Sequence, residues 1–466
     1  MQNDQQRRAK LAEAEHGDSL TKKERIRLSD HFTYAKLFRF TMPSIIMTIF
    51  GSVYTIVDGF FVSNYAGSTA LAAVNLIYPP LMIVSAFGFM LAAGGSALVG
   101  KLLGMKDPEK ANEYFSLLTY ACMAIGALIA VLMAIFMPQV AQALRAEGQL
   151  LADSVLYGRI LCVGLVPYML QYHFQLFFIT AEKPKLGLYY TVIAGCTNIV
   201  LDFLFVGVLG YGLAGAAWAT NISQCIGGLA PLVFFYRPND SLLRLGRTRM
   251  DRYCLLQSSY NGIAEFLASI SASLVSLVFN YELLKLLGED GVAAYSVIMY
   301  FSMVFTSIFF GYCIGVAPVI SYHFGAGNRP ELKNMLRKGF VIEMSSCILG
   351  ALLSFALAVP CSRLFVGYDP DLLALTIHAF RVYSLSYIFM GFGYFSQVFF
   401  TALNNGFVAG IISIIRIFVL QVGLTVLMAE LFGAEALWYS MFVAQIIGFA
   451  VAWVFLLKYK DRYGYL

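Results

Sequence analysis

Apolar residues in this 466-residue chain come in runs of about twenty or more, separated by short polar breaks, and the runs recur about twelve times. A helix of roughly 20 residues rises about 30 Å, the thickness of a bilayer's hydrocarbon core. The coarse spans are 41–64, 74–100, 115–137, 157–180, 186–208, 212–236, 254–282, 292–323, 339–361, 376–402, 406–429 and 434–457. No segment shows the alternating pattern of a membrane β-barrel strand. The pattern predicts an all-α integral membrane protein with twelve transmembrane helices.

The chain also matches itself at a constant shift. Thr69-Ala-Leu-Ala-Ala-Val74 aligns with Asp290-Gly-Val-Ala-Ala-Tyr295, Leu103-Gly104 with Phe324-Gly325, Thr180-Ala181 with Thr401-Ala402, and Gly212 with Gly433. Every pair is 221 residues apart, for example 180 and 401. A register kept over so many helices marks a tandem duplication. Six helices per half is an even number, so the halves are parallel repeats about an axis along the membrane normal, forming two pseudo-symmetric six-helix lobes. The expected organisation is a charged tail over 1–32 without a sustained apolar face, an N-lobe over 33–236, a basic linker over 237–252, a C-lobe over 253–457 and a tail over 458–466. Phe32 to Phe40 reads as an amphipathic run, either lying at the inner surface or forming the solvated start of helix 1.

Composition agrees: 59% hydrophobic residues, 13% charged and a mean hydropathy of +0.72 lie outside the soluble range. The placement of charge says more than the net +5. Lys22, Lys23, Arg25, Arg27, Lys36 and Arg39 precede the first span, Lys101, Lys106 and Lys110 follow the second, and further clusters lie at Lys183 and Lys185, 237–252, 329–338 and the C-terminal tail. The alternate connections hold only Arg145, Lys285 and Arg363, with Arg159 and Arg381 at their edges. The positive-inside bias then puts both termini in the cytoplasm. Eight scattered cysteines, without a CxxC pair, read as free buried thiols. No secretory leader is apparent at the N-terminus.

Polar groups inside the apolar runs are the candidate chemistry, because they are costly there. Asn198 and Asp202 lie one helical turn apart on one face of span five. Asp58 is about six residues, roughly 9 Å, short of the outer end of span one, and Thr220 is about 12 Å down span six. These four share a layer. Two carboxylates with amide and hydroxyl oxygens suit a hard cation such as Na⁺, or a shared proton, since two close negative charges need neutralising. The 221-residue shift takes positions 202, 198 and 58 to Gly423, Val419 and Phe279, so this acidic site belongs to the N-terminal half alone. Conversely Glu265 and Arg416, which map to Ser44 and Gly195, give the C-terminal half its own charges at a similar depth; they are read as a structural pair, as separate local hydrogen bonding, or as a substrate or proton site. His173 reads as a satisfied core residue, and Gly94-Gly95 and Gly227-Gly228 as close helix contacts. Pro43 falls near the first turn of helix 1.

The stretches VDGFFVSNYAG, ALAAVNLIYP, GGSALVGKLLGMKDPEKA and NIVLDFLFVGVLGYGLAGAAWAT, with their second-half echoes, resemble the multidrug and toxic compound extrusion (MATE) transporters, in the tone of the prokaryotic DinF and MepA-like branches. The resemblance covers about residues 35–457. It implies a twelve-helix fold of two lobes that exports hydrophobic, often cationic compounds against inward Na⁺ or H⁺ movement. Carried over, the cation site is Asp58, Asn198, Asp202 and Thr220, with Tyr54 a turn below Asp58 and Pro43 at a bend of helix 1. Phe203 departs from the family, where many relatives have proline, and leaves the end of helix 5 open. The expected protein is a monomer in the cytoplasmic membrane, with small-molecule substrates and lipid as partners, no nucleic acid, no cofactor, no metal but the coupling ion, and no enzymatic activity. A lipid-linked oligosaccharide flippase would need a strongly cationic cavity, where only Arg416 is clearly intramembrane. A membrane enzyme lacks a ligand-spaced His/Cys/Asp cluster, and a channel would show repeated polar rings.

Overall fold

The computed structural model describes residues 26–466, and all regular structure in it is helical. In chain order α1 spans Tyr34–Phe61, α2 Ser68–Gly104, α3 Pro108–Ala143, α4 Gly148–Thr180, α5 Pro184–Asp202 and α6 Gly212–Tyr236. The helical run Arg252–Gly325 breaks at Gly288, which gives α7 (252–287) and α8 (289–325); α9 is Arg329–Val366. Then α10 combines Pro370–Ser384 and Tyr387–Ala402 across a 44° bend. Gly433 divides the last long run into α11 (406–432) and α12 (434–463). Gly288 and Gly433 have φ of 66° and 78°, a region open to glycine at no steric cost, and each turns the chain back. Twelve crossings result. Gly67 and Gly288, Lys106 and Gly327, and Gly212 and Gly433 all have positive φ, so the 221-residue register read from sequence is also a register of turns.

Several starts are written locally. Asp107, Asn328 and Asp369 accept backbone N–H groups of the first turns of α3, α9 and α10, and proline follows within two residues in each case. α1 starts at Tyr34, capped by Thr33, so residues 34–40 are its first turns, and Pro43 lies well inside it instead of near its start. The helix is continuous through Pro43. α5 does not end at Phe203: it continues as a π-helical stretch, Phe203–Val208. Within the tail over 1–32, Leu28 and Phe32 are fully buried; residues 1–25 lie outside the described residues. At the other terminus α12 runs to Tyr463, and Tyr465 is buried beyond it.

The lobes meet at the end of the bundle that carries the termini and the basic loops. A Cβ on Gly94 would come within 1.9 Å of the Ser258 carbonyl, one on Gly262 within 1.9 Å of that of Met90, and Gly104 and Gly325 would meet Tyr322 and Lys101 carbonyls at 2.0 Å. Backbone therefore rests on backbone, as in small-residue membrane interfaces. Gly228 likewise abuts the Pro167 carbonyl inside the N-lobe, and Gly95 and Gly227 abut the Leu118 and Gln171 side chains. α1 joins this contact: Thr48 donates to the Ser307 carbonyl on α8 at 2.7 Å, and Ser52 and Ser307 share a hydrogen bond. Toward the opposite end Tyr78, Tyr300 and Met303 are exposed. We expect Gly94→Val or Gly262→Val to lower the stability of the lobe contact by about 1–3 kcal/mol, the usual cost of overpacking, seen as a lower melting temperature of the detergent-solubilised protein.

Candidate cation-binding site

In the N-lobe α1 and α5 run side by side, and the small Gly195 lets them. A Cβ there would lie 2.4 Å from the Phe50 ring and 3.1 Å from that of Tyr54. One turn beyond Tyr54 comes Asp58, and two turns beyond Gly195 comes Asp202. The two carboxyl groups face each other at close range without completing a hydrogen bond. Asp202 is 0% exposed and Asn198, one turn below it, 2%. Asp58 Oδ1, both oxygens of Asp202 and Asn198 Oδ1 are buried without any hydrogen-bond partner. Tyr157 of α4 stands near both acids, Tyr54 and Tyr78 near Asp58, and Tyr168 beside Tyr78. The phenols that ring these acceptor oxygens make no hydrogen bond to them. What fits is a proton or a cation.

Thr220 sits half-buried on α6; its carbonyl accepts from Ser223, and its hydroxyl makes no hydrogen bond to Asp58, Asn198 or Asp202. The geometry thus brings Asp58, Asp202, Asn198 and Tyr54 together and leaves Thr220 at the edge. Tyr78, Tyr157 and Tyr168 went unnoticed in the sequence because tyrosines are common here and their helix faces are unknown without packing.

The helices loosen where these charges sit. In α5 the π-helical stretch starts at Phe203, directly after Asp202, and in α1 one starts at Val62, whose N–H bonds the carbonyls of both Asp58 and Gly59. Arg416 lies inside a third, Ile415–Val422 of α11. Wide i→i+5 turns often mark functional positions in helices.

Glu265 and Arg416 do not form an ion pair. Glu265 accepts from the Tyr172 hydroxyl of the N-lobe at 2.9 Å, whereas Arg416 Nη2 donates to Gln397 Oε1 at 3.2 Å and its guanidinium lies 4.2 Å from the Tyr394 ring centre. Separate local bonding is what the structure has. Arg416 Nε and Nη1 remain unpartnered. Between the lobes a small cavity of about 30 Å³ is lined by Tyr172, Glu265, Pro318, Gln397 and Thr401. A further acid escaped sequence reasoning. Glu343 of α9 is fully buried, accepts from the Cys313 thiol at 3.1 Å, and leaves Oε2 without a partner. It stands five residues beyond Lys338 inside an apolar run, which is the signal that could have found it. His173 bonds Thr119 at 3.0 Å and stacks among Phe115 and Phe177, as a core residue does, although its Nδ1 is unpartnered. All eight cysteines are free, and no group of three His, Cys, Asp or Glu among the described residues is arranged to hold a metal ion.

A duplicated bundle of this shape, with a pair of aspartates buried in its N-lobe, fits a membrane transporter. The MatE family model matches residues 43–204 and again 265–427, and the chain belongs to that family, a multi-pass membrane transporter of the MATE type. It is 26% identical over 432 residues to the multidrug export protein MepA of Staphylococcus haemolyticus, covering 92% of this chain and 94% of that one. To MepA of Staphylococcus aureus it is 23% identical over 431 residues, with the same coverage. Among solved structures, an outward-facing multidrug resistance MATE transporter of the MOP superfamily superposes with a TM-score of 0.87 at 22% identity, over 94% of this chain and 99% of that one. A MOP superfamily transporter from Pyrococcus furiosus, described as having reversed binding-pocket polarity, gives 0.84 at 22% identity, over 92% and 97%.

Two variants test the local energetics. Asp202→Asn should melt no lower than the parent, because it removes an unpartnered buried charge, whereas Tyr172→Phe should cost about 1–3 kcal/mol by stranding the Glu265 carboxyl. Differential scanning fluorimetry of the purified protein reads both.

Proposed function

We propose that this protein is a cation-coupled antiporter that exports hydrophobic, often cationic small molecules by alternating access. Asp58, Asp202 and Asn198 form the coupling site, with Tyr54 beside it, Thr220 at its edge and Pro43 as the bending point of α1. The observation that carries this reading is the buried set of oxygens on α1 and α5 with no hydrogen-bond partner. The N-lobe tolerates those acids charged only while a wet path reaches them; taking up Na⁺ or H⁺ neutralises them and favours a dry, repacked helix pair. A ligand moves the equilibrium between two shapes only as far as its affinities for them differ. The ion and the exported compound therefore act on the same equilibrium from different sites, the compound between the lobes. The cavity beside Tyr172 and Glu265 has room for about one water, so its carboxyl group and aromatic surface would meet a lipophilic cation only once the lobes part there.

The gathering of basic loops at the sealed end of the bundle supports a cytoplasmic membrane location with both termini inside. The protein then stands with its lobes closed toward the cytoplasm. No cofactor beyond the ion is needed, and the molecule works as a monomer.

In proteoliposomes under an imposed sodium or pH gradient, Asp58→Asn and Asp202→Asn should each reduce gradient-driven dye transport by about 5- to 150-fold, the usual span of a coupling free energy. Full ion-driven transport by both variants would show the coupling assignment to be wrong, and running the two gradients separately tells Na⁺ from H⁺.

A further inference from the structure

The charged segment before α1 does not hang free over residues 26–33. Of its three apolar residues, Leu28 and Phe32 are both 0% exposed and belong to one hydrophobic cluster with Leu176 and Ile179 of α4 and Leu332, Met335 and Leu336 of α9, and Ile26 packs half-buried against it. Polar bonds hold it on two sides. Toward the C-lobe, Glu331 accepts the Phe32 N–H at 3.0 Å and pairs with His31 Nδ1 at 2.7 Å, Asn334 donates to the Phe32 carbonyl at 3.0 Å, and the Lys338 ammonium donates to the same carbonyl. Toward the N-lobe, the Leu28 N–H donates to Glu182 Oε1 at 2.7 Å, in the turn between α4 and α5. Asp30 closes the segment into a turn by accepting the Arg27 N–H and pairing with Lys36 at 2.8 Å.

The linker repeats this arrangement in the other half. Asp251 stands 221 residues after Asp30, and it accepts from the Tyr114 hydroxyl of α3 at 2.7 Å. The Arg244 and Gly246 N–H groups donate to Asn112 and Ser116 of α3, the counterparts of residues 333 and 337 on α9. Each lobe's leading segment is thus fastened to the third helix of the other lobe. Both fasten to one turn as well, since Lys183, next to Glu182, pairs with Asp240 of the linker at 2.5 Å. The two segments differ in one respect. The linker is covalently joined to both lobes and cannot leave, whereas the N-terminal segment is covalently joined only to α1 of the N-lobe and reaches the C-lobe through non-covalent bonds alone.

We propose that residues 26–33 are a strap that holds the lobes shut at the basic end, with Glu331 and Glu182 as its two clasps, and that it leaves Glu331 and α9 each time the lobes part there. The inference rests on the alternating-access reading. The strap continues into α1 and is held to the α4–α5 turn by Glu182, so it stays with the N-lobe, and the break falls at its four hydrogen bonds to α9. Both glutamates are positioning residues: they touch neither ion nor substrate, and act by setting how often the sealed end opens.

Hydrogen exchange read by mass spectrometry on the full-length protein in lipid nanodiscs tests this without reference to the substrate. Glu331→Ala should speed exchange where the lobes meet, in peptides covering 98–104 and 319–325, by about tenfold, the change in an opening equilibrium expected on losing a hydrogen bond to a charged group. Glu182→Gln, which keeps an acceptor oxygen but drops the charge, should act in the same direction and less. If the amides of residues 28–34 exchange faster while those two peptides are unchanged, the strap is released without loosening the lobes and the proposal fails. Should Glu331→Ala not fold, Glu182→Gln decides by the same peptides. The failures are separable: full ion-driven transport by the Asp58 and Asp202 variants overturns the coupling reading, yet leaves the exchange result standing.

Discussion

Hydrocarbon gives a charged side chain no solvent, and this constraint shapes the molecule from the backbone outward. Almost every residue inside the spans obeys it by being apolar. The exceptions have to be housed by protein, and the housing is visible: Gly195 brings α5 against α1, phenols from α1, α2 and α4 close round the two aspartates, and among the described residues no lysine or arginine pairs with them. A buried ion pair would have been the static solution, since breaking one is costly and keeping it is comfortable. Acids left without a resident counter-charge are a different arrangement. In the proposed antiport cycle the place of that counter-charge belongs to the coupling ion.

The duplication sharpens the point. Two copies of one six-helix unit share turns, glycines and register, yet the position matching Asp58 is Phe279, fully buried and stacked on Tyr295 at 4.5 Å, and the position matching Asp202 is Gly423. The C-lobe has diverged toward other polar groups, Glu265, Glu343 and Arg416, none of which forms an ion pair with another. Symmetry therefore accounts for the shape and the glycine-lined contact between lobes. Asymmetry accounts for which lobe carries the acidic pair.

Much of this was legible beforehand. Apolar runs of membrane-spanning length, a constant 221-residue echo and acids in the middle of such runs are one-dimensional signals, and they placed Asp58, Asn198 and Asp202 in a common layer. What depth along a helix does not supply is rotation about its axis. Glu265 and Arg416 were at similar heights, but their side chains find Tyr172 and Gln397, and Thr220 shares the layer of the aspartates without bonding to them. Leu28 and Phe32 were hidden for another reason: two apolar residues among charges do not make a face until α4 and α9 provide one. Phe203, in place of a proline, was an open question that the backbone answers by widening where a proline would have ended its hydrogen bonding.

That widening has a mechanical corollary. A π-helical turn stores one residue more than the α-helical pitch needs, so drawing the surplus out of α1, α5 or α11 would turn everything beyond it by about 100° around the helix axis with no change in length of chain. Rigid cylinders can only tilt; a cylinder with slack in it can also twist. Asp58, Asp202 and Arg416 stand beside that slack or in it.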